Sequence, residues 1–206
     1  TTVIDMSTIS PEATVVFAER LLTRESYMLD APVSGGELGA VEATLGIMVG
    51  GAKESFEKYL PVFRAMGKTI TYAGPSGSGQ KTKLVNQVIG AMNILATVEG
   101  LRLAQALGLN VETTLRAASS GAASSWALTN LGPKILKNDF AAGFSIRLQH
   151  KDLRLVCEVI RGLKRNSTFP GTDLVASLFA TALEKGLSEQ GNHALIKVWE
   201  EIPQGP

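Results

Sequence analysis

Lys83, Asn86, Gln87, Gly90, Asn93 and Thr97 recur three and four residues apart in a stretch otherwise built of Leu, Val, Ile, Ala and Met. On a helix this spacing draws one narrow polar or small-residue stripe along an apolar rod. The bland account of such a stripe is an interhelical hydrogen-bond ladder, or a cation snorkelling from a helix end. The position of Lys83 favours chemistry. A cation in the first turn faces the positive end of the helix dipole, and burial adds a desolvation cost. Both effects favour the neutral amine, the form in which a lysine works as an acid/base near neutral pH.

Asp30-Ala31-Pro32-Val33-Ser34-Gly35-Gly36 follows an apolar run directly. In parallel α/β sheets ligands bind beyond the carboxyl ends of strands, where Ser34, Gly35 and Gly36 would offer a carboxylate one hydroxyl and unobstructed backbone N–H groups. The alternative is an ordinary flexible loop. Asp5-Met6-Ser7-Thr8 holds the same place after the first strand, and reads equally as a capped turn before Pro11. Two patterns are decoys. The run Gly74 to Thr82 has the composition of a P-loop, but Gln80 separates Gly79 from Lys81 where the Walker spacing requires Gly-Lys-[Ser/Thr]. His150 and His193 have no Cys, Asp or Glu at ligand spacing on a shared helix face, so no metal is expected. Lys151-Asp152 by itself reads as an exposed charged pair.

The elements that must position these residues change character near residue 75. Before it, short apolar or β-branched runs (Val3 to Asp5, Tyr27 to Ala31, Leu45 to Gly50, Thr69 to Ala73) alternate with helical patterns at Pro11 to Thr23 and Lys53 to Met66. Ser10 is the expected N-cap of the first helix, and Pro61 marks a kink in the second. Alternation of this kind predicts an α/β layer with a mainly parallel sheet. Four strands without a phosphate-binding first turn look like the far half of a doubly wound domain. After Gly74-Pro75-Ser76-Gly77 the pattern is helical throughout. A long helix from Ser78 to Leu107 ends at Gly108, followed by helices at Val111 to Ala118, Ser125 to Lys137, Ile146 to Lys164, Pro170 to Lys185 and His193 to Glu201. Gly132-Pro133 is expected to break the helix that contains it. The fold class is therefore α/β plus all-α: residues 1–75 a partial dinucleotide-binding (Rossmann-type) domain, residues 76–206 an all-helical domain, with the long helix as connector.

Composition excludes several classes of function. With 45% hydrophobic and 19% charged residues, the 206-residue chain can repay the entropy of ordering, so it is not disordered. A net charge of +1 supplies no global field for phosphate backbones or anionic lipid, and nucleic acid is not an expected partner. The apolar stretch Leu84 to Leu107 is interrupted by Asn86, Gln87, Asn93 and Glu99, which a lipid-facing span does not tolerate, so no membrane span is expected. The single cysteine, Cys157, sits among Leu155, Val156 and Val159 and reads as a buried thiol in a reducing compartment. That is the cytoplasm, or the mitochondrial matrix in a eukaryote. The start, Thr1-Thr2-Val3-Ile4, reads as mid-strand, as a truncated, processed or partial gene product would.

In order, Asp5 to Pro11, Asp30 to Gly36 with Gly39-Ala40, Gly77-Ser78-Gly79 leading to Lys83 and Asn86-Gln87, and Lys151-Asp152-Leu153 resemble the motifs of the β-hydroxyacid dehydrogenase family. That family includes 3-hydroxyisobutyrate dehydrogenase, tartronate semialdehyde reductase and, more distantly, 6-phosphogluconate dehydrogenase. The resemblance covers essentially the whole chain. It implies that Lys83 is the catalytic acid/base, that Ser34, Gly35 and Gly36 hold the substrate carboxylate, and that Asn86 and Gln87 orient substrate beside the lysine. It also implies that Thr8 and Lys151 contact a nicotinamide cofactor, NAD or NADP, with Phe144 and Asp152 shaping that cleft. A small carboxylate substrate and a homodimer or higher oligomer follow too, the latter through apolar arcs such as Ile94-Leu95-Ala96 and Leu174-Val175-Ala176.

Two departures stand out. Many members carry Asn-Asn where this chain has Asn86-Gln87, a variant that looks more like the tartronate semialdehyde reductase branch. The family's Gly-rich dinucleotide fingerprint and the residue that selects NAD or NADP do not occur in these 206 residues. The competing expectation is a non-catalytic fragment or pseudoenzyme that binds ligand and dimerises. Retention of Lys83 argues against the pseudoenzyme.

Overall fold

Ser10 and Pro11 begin the first helix as their chemistry requires. The Ser10 hydroxyl accepts from the Ala13 N–H at 3.2 Å, and Pro11 occupies a first-turn position that needs no donor. The computed structural model describes residues 1–163 and 168–199. Contacts divide the chain into two compact units, Thr1 to Asn86 and Gln87 onward.

The first unit carries five strands, β1 (Thr2–Asp5), β2 (Tyr27–Asp30), β3 (Val33–Ser34), β4 (Leu45–Gly50) and β5 (Gly67–Gly74). Between them lie α1 (Pro11–Leu22), α2 (Gly36–Val41) and α3 (Lys53–Arg64), and α3 continues through Pro61. The sheet is parallel in most of its paired residues, as expected, but contains a reversal that was not. β1 pairs β2 and β4 pairs β5 in parallel, but β4 runs antiparallel to both β2 and β3. Asp30 opposite Gly50, Val33 opposite Ile47 and Ser34 opposite Gly46 form one continuous register, so β2 and β3 are a single line interrupted at Ala31-Pro32. Pro32 has no N–H for the ladder, though its carbonyl still accepts from Met48 N at 3.0 Å. Residues 35–44, which join β3 to β4, are fewer than the roughly one dozen a parallel crossover needs, so the chain must return antiparallel. Leu29, Ala31, Leu45, Ile47, Val49 and Phe63 form the buried core of this unit.

The second unit is helical. The 29-residue α4 (Ser78–Ala106) runs into it from the first and extends about 44 Å. It ends as its sequence predicts: Gly108 sits at φ +67, and Leu109 N bonds back to Ala104 O at 2.9 Å. Then come α5 (Val111–Ser119), α6 (Trp126–Leu136), α7 (Ile146–Gly162), α8 (Pro170–Glu184) and a 3₁₀ helix (Asn192–Val198). Asn110, Ser125 and Ser145 cap α5, α6 and α7 through their side chains. The core gathers Ala91, Ile94, Val98, Leu101, Leu115, Leu131, Ile146, Leu153, Val175, Phe179 and Leu195 among others.

Four expectations are corrected. Gly132-Pro133 does not break α6; a Cβ at Gly132 would lie 2.7 Å from Leu115 Cδ1, so the glycine lets α5 pack closely while the helix runs on through Pro133. The helix expected at His193 to Glu201 is a 3₁₀ helix, and Glu201 lies outside the described residues, as does Lys164, the expected end of α7. Cys157 is half-buried rather than buried, and burial still pushes its thiol pKa up. Of the arcs expected to meet a partner, Ile94, Leu95 and Val175 are core, whereas Ala96 and Leu174 face outward.

Candidate active site

Asp30 ends β2 with only 1% of its surface exposed, yet it is a carboxylate. Its two oxygens accept from the backbone N–H groups of Gly77 and Gln80, each at 2.9 Å, and so satisfy donors that the start of α4 leaves open. Desolvation raises the Asp30 pKa above the ordinary aspartate value, and the backbone bonds pull it back. The approach is close enough to demand glycine on both sides. A Cβ at Gly79 would collide with Met48 O and lie 2.8 Å from Asp30 Oδ2, and one at Gly50 would lie 2.6 Å from Asp30 Oδ1. Gly77-Ser78-Gly79 is therefore the docking point of a helix on two strand ends.

Gln80 is fully buried in that first turn. Its Nε2 donates to Ser7 O at 2.8 Å, and its Oε1 accepts from Ile9 N at 3.2 Å. Gln80, which interrupts the Walker spacing, thus clamps the loop that holds Thr8. Thr8 is half-buried at the carboxyl end of β1, and Ser7 N bonds to Asp5 Oδ1 at 3.0 Å. One turn further along α4, Lys83 is 6% exposed. Asn86 is half-buried and Gln87 buried, at three and four residues' remove from Lys83 on one face of the helix. Ser34 is half-buried at the end of β3. Gly35 and Gly36 are exposed and take φ +129 and +62, conformations that favour glycine.

In the helical unit, Gln87 Nε2 donates to Asp152 Oδ2 at 2.6 Å, and Asp152 Oδ1 lies 2.9 Å from Lys151 Nζ. Lys151-Asp152 is therefore not the exposed pair expected, since the Asp152 side chain is 2% exposed and only the Lys151 side chain, at 39%, reaches solvent. Phe144 is half-buried just before the cap of α7, its carbonyl accepting from Asn192 N at 2.8 Å. The structure thus joins Asp30, Gln80 and the Thr8 loop into one network, and Gln87, Asp152 and Lys151 into another. Asp30 and Gln80 were not read as site residues. The available signals were an acid at a strand end and a glutamine two residues into a helix without an acidic first turn.

Comparison with known proteins accounts for both units. Residues 1–74 match the model of the NAD binding domain of 6-phosphogluconate dehydrogenase, and residues 77–199 match the NAD-binding model of NADP-dependent 3-hydroxyisobutyrate dehydrogenase. The chain belongs to the β-hydroxyacid dehydrogenase family. It is 44% identical over 199 residues to an uncharacterized oxidoreductase of Synechocystis, covering 97% of this chain and 67% of that protein. It is 41% identical over 199 residues to the 2-hydroxy-3-oxopropionate reductase of Escherichia coli, covering 97% and 68%. Among solved structures, the 3-hydroxyisobutyrate dehydrogenase of Mycobacterium tuberculosis with L-serine superposes at a TM-score of 0.87 with 30% identity, covering 96% of this chain and 69% of that one. The chain spans about two thirds of the length of these relatives. As a β-hydroxyacid dehydrogenase it is an NAD(P)-dependent oxidoreductase with a Rossmann-type sheet and a helical region.

The residues present are compatible with such a cofactor. Gln80 spends its amide on both sides of Thr8 and so fixes a hydroxyl donor at a strand's carboxyl end, where parallel strands take ligands. Among the described residues α4 is also the one helix long and apolar enough to cross a membrane. Its Gln80, Lys83, Gln87 and Thr97 are buried in the protein, as in the core helix of a folded domain.

Proposed function

We propose that this dehydrogenase interconverts a small β-hydroxy acid and its carbonyl form, of the 3-hydroxyisobutyrate or tartronate semialdehyde/glycerate type, with Lys83 as the proton-transfer group. The observation that carries the proposal is a lysine 6% exposed, one turn above the Asp30 cap, with Asn86 and Gln87 following on the same helix face. In the oxidation direction the Lys83 amine takes the proton of the substrate hydroxyl, and in reduction the ammonium returns it. A nicotinamide cofactor, when bound, would supply the hydride chemistry at the same carbon. The ammonium also offsets negative charge developing on the substrate oxygen, so the lysine both moves the proton and stabilises the alkoxide.

Ser34, with its hydroxyl, and Gly35 and Gly36, with N–H groups no side chain covers, hold the substrate carboxylate and fix its distance from the reacting carbon. Asn86 orients the substrate beside the lysine. Gln87, whose amide nitrogen is given to Asp152, acts with it. Thr8 and Lys151 are the residues that would hold the nicotinamide, with Phe144 and Asp152 shaping its surroundings. We read the functional division as 1–75 and 76–206.

The protein is further read as a homodimer formed along α4. Ile89 is 56% and Leu103 59% exposed, seven residues either side of exposed Ala96. Two antiparallel copies crossing at Ala96 would therefore set Ile89 of each against Leu103 of the other, a self-complementary pairing that fits a two-fold axis. Leu174, 52% exposed, extends this surface from α8, whose Gly171 packs against Met92 of α4.

The decisive experiment is Lys83→Ala assayed with 3-hydroxyisobutyrate and glycerate and both cofactors. The expected loss in kcat is about 10²-fold or more. Turnover within about threefold of the unaltered enzyme would remove Lys83 from the mechanism.

A further inference from the structure

Asp30 is a buried carboxylate that the proposed chemistry does not use, yet the start of α4 rests on it and, through Gln80, so does the Thr8 loop. Its oxygens hold the Gly77 and Gln80 N–H groups at the start of α4, one turn before Lys83. The residue it holds, Gln80, in turn grips Ser7 O and Ile9 N on either side of Thr8. Gly50 and Gly79 leave no room for a Cβ beside the carboxylate, so the joint has one geometry. Fully satisfied polar networks in low-dielectric surroundings are stiff, and a catalytic group misplaced by about 1 Å loses activity steeply.

We infer that Asp30 and Gln80 are positioning residues with separable tasks: Asp30 fixes the turn of α4 that carries Lys83, and Gln80 fixes the Thr8 loop. This assignment rests on the proposed roles of Lys83 and Thr8. Its chemistry predicts different signatures for the two residues. In Asp30→Asn one oxygen becomes an NH₂ that faces a backbone N–H, so either Gly77 or Gln80 loses its acceptor and the helix start loses its charge-assisted bonds. Burial already disfavours the Asp30 charge, so the neutral isostere is expected to fold. In Gln80→Leu the backbone N–H to Asp30 remains, while Ser7 O and Ile9 N lose their partner.

The test measures steady-state kinetics and amide hydrogen exchange on both variants. For Asp30→Asn the expectation is a fall in kcat of about tenfold, with KM for substrate and cofactor within about twofold. Exchange at the Gly77 and Gln80 amides should quicken about tenfold, with Ile9 unchanged. For Gln80→Leu the expectation is the converse: cofactor KM rises about tenfold with a smaller change in kcat, and Ile9 exchanges faster while Gly77 stays protected. If Asp30→Asn does not fold, Asp30→Ser, which keeps one short acceptor, is measured the same way. Kinetic effects and exchange patterns that coincide for the two residues would show one structural cluster and overturn the assignment. If Lys83→Ala kept full turnover while the two exchange patterns still separated, the proposed chemistry would fail and the division of positioning tasks would stand.

Discussion

The two units are held together in different ways. The sheet unit has a core of six buried apolar residues, and its decisive contacts are polar: Asp30 on two backbone amides and Gln80 on a loop. The helical unit has the larger apolar cluster, seventeen buried residues among those described, and it buries polar side chains as well, among them Gln149, Asp152, Thr172 and His193. Apolar burial is tolerant of direction, whereas a hydrogen bond fixes both distance and angle. The sheet unit is therefore built to place atoms, and the helical unit to supply stability. Substitutions should sort accordingly, with sheet-unit changes read first in kinetics and helical-unit changes first in unfolding.

The largest stability effect that tests this contrast is Phe179→Ala. Phe179 has no exposed surface and sits in the centre of the helical cluster, so truncation should cost about 3–5 kcal/mol through lost transfer energy and a cavity. Urea unfolding would measure it beside Phe63→Ala, the equally buried phenylalanine of the smaller core. A smaller loss at Phe63 than at Phe179 sharpens the comparison, because a small core relaxes into a cavity more completely. Equal losses would break it.

Assembly offers an intermediate effect. Leu103→Glu places a charge on the face of α4 proposed to meet a second copy, without touching the helical core. Desolvating an unpaired carboxylate at such an interface should weaken association at least about tenfold. Sedimentation equilibrium of this variant beside the unaltered protein measures it, with Gln105→Glu, exposed on the other side of the same helix, as a control. Equal weakening by both would point to a general charge effect, and a monomeric parent at micromolar concentration would remove the α4 dimer.

Much of this architecture was legible because its signals are local. The length of α4, its end at Gly108 and its polar stripe follow from periodicity and one left-handed glycine, and the start of α1 from Ser10 ahead of Pro11. The missed features depend on partners distant in sequence. Strand direction leaves no trace in the period of apolar residues, so the reversal at β4 was visible only as a connection too short for a crossover. Helix α2 spans six residues, with Gly36 and Gly39 among them, too few for a helical period to register. Asp30 meets Gln80 across fifty residues of chain. In sequence Gln80 served only to rule out a Walker motif, because nothing near it names the loop it grips. Asp152 was legible as part of a motif, but not as a buried acid, since its hydrogen-bond donor Gln87 lies sixty-five residues earlier.

The smallest effect is a pH response of opposite sign in the two units. His193 is 2% exposed, and its Nε2 lies 2.7 Å from the Asp139 carbonyl oxygen, so that nitrogen carries the proton and donates. The ring stacks on Phe140 and packs against Gly191, where a Cβ would collide with its edge. Burial holds its pKa below the ordinary value, helped by Lys134 and Lys197 and opposed by the Asp139 carbonyl and carboxylate. A histidine depressed in the folded state contributes stability that is present above its unfolded pKa of about 6.5 and lost as pH falls. Asp30 behaves in the opposite sense. Its folded pKa is raised, so its contribution is fully present below about 3.9 and declines as pH rises through the folded value. Acidification from neutral pH should therefore first loosen the 3₁₀ helix and the Asp139 loop that His193 joins, while no such loss is expected at the Asp30 joint. Amide exchange at pH 7.5 and 5.5 would read this region by region, with faster opening expected at Ala194 and Gly191 and little change at Gly77. His193→Gln should abolish the pH difference in the helical unit, because glutamine brings no charge as the solution acidifies. If that variant keeps the same acid response, His193 is not its source, and the loss of stability must come from carboxylates elsewhere in the molecule.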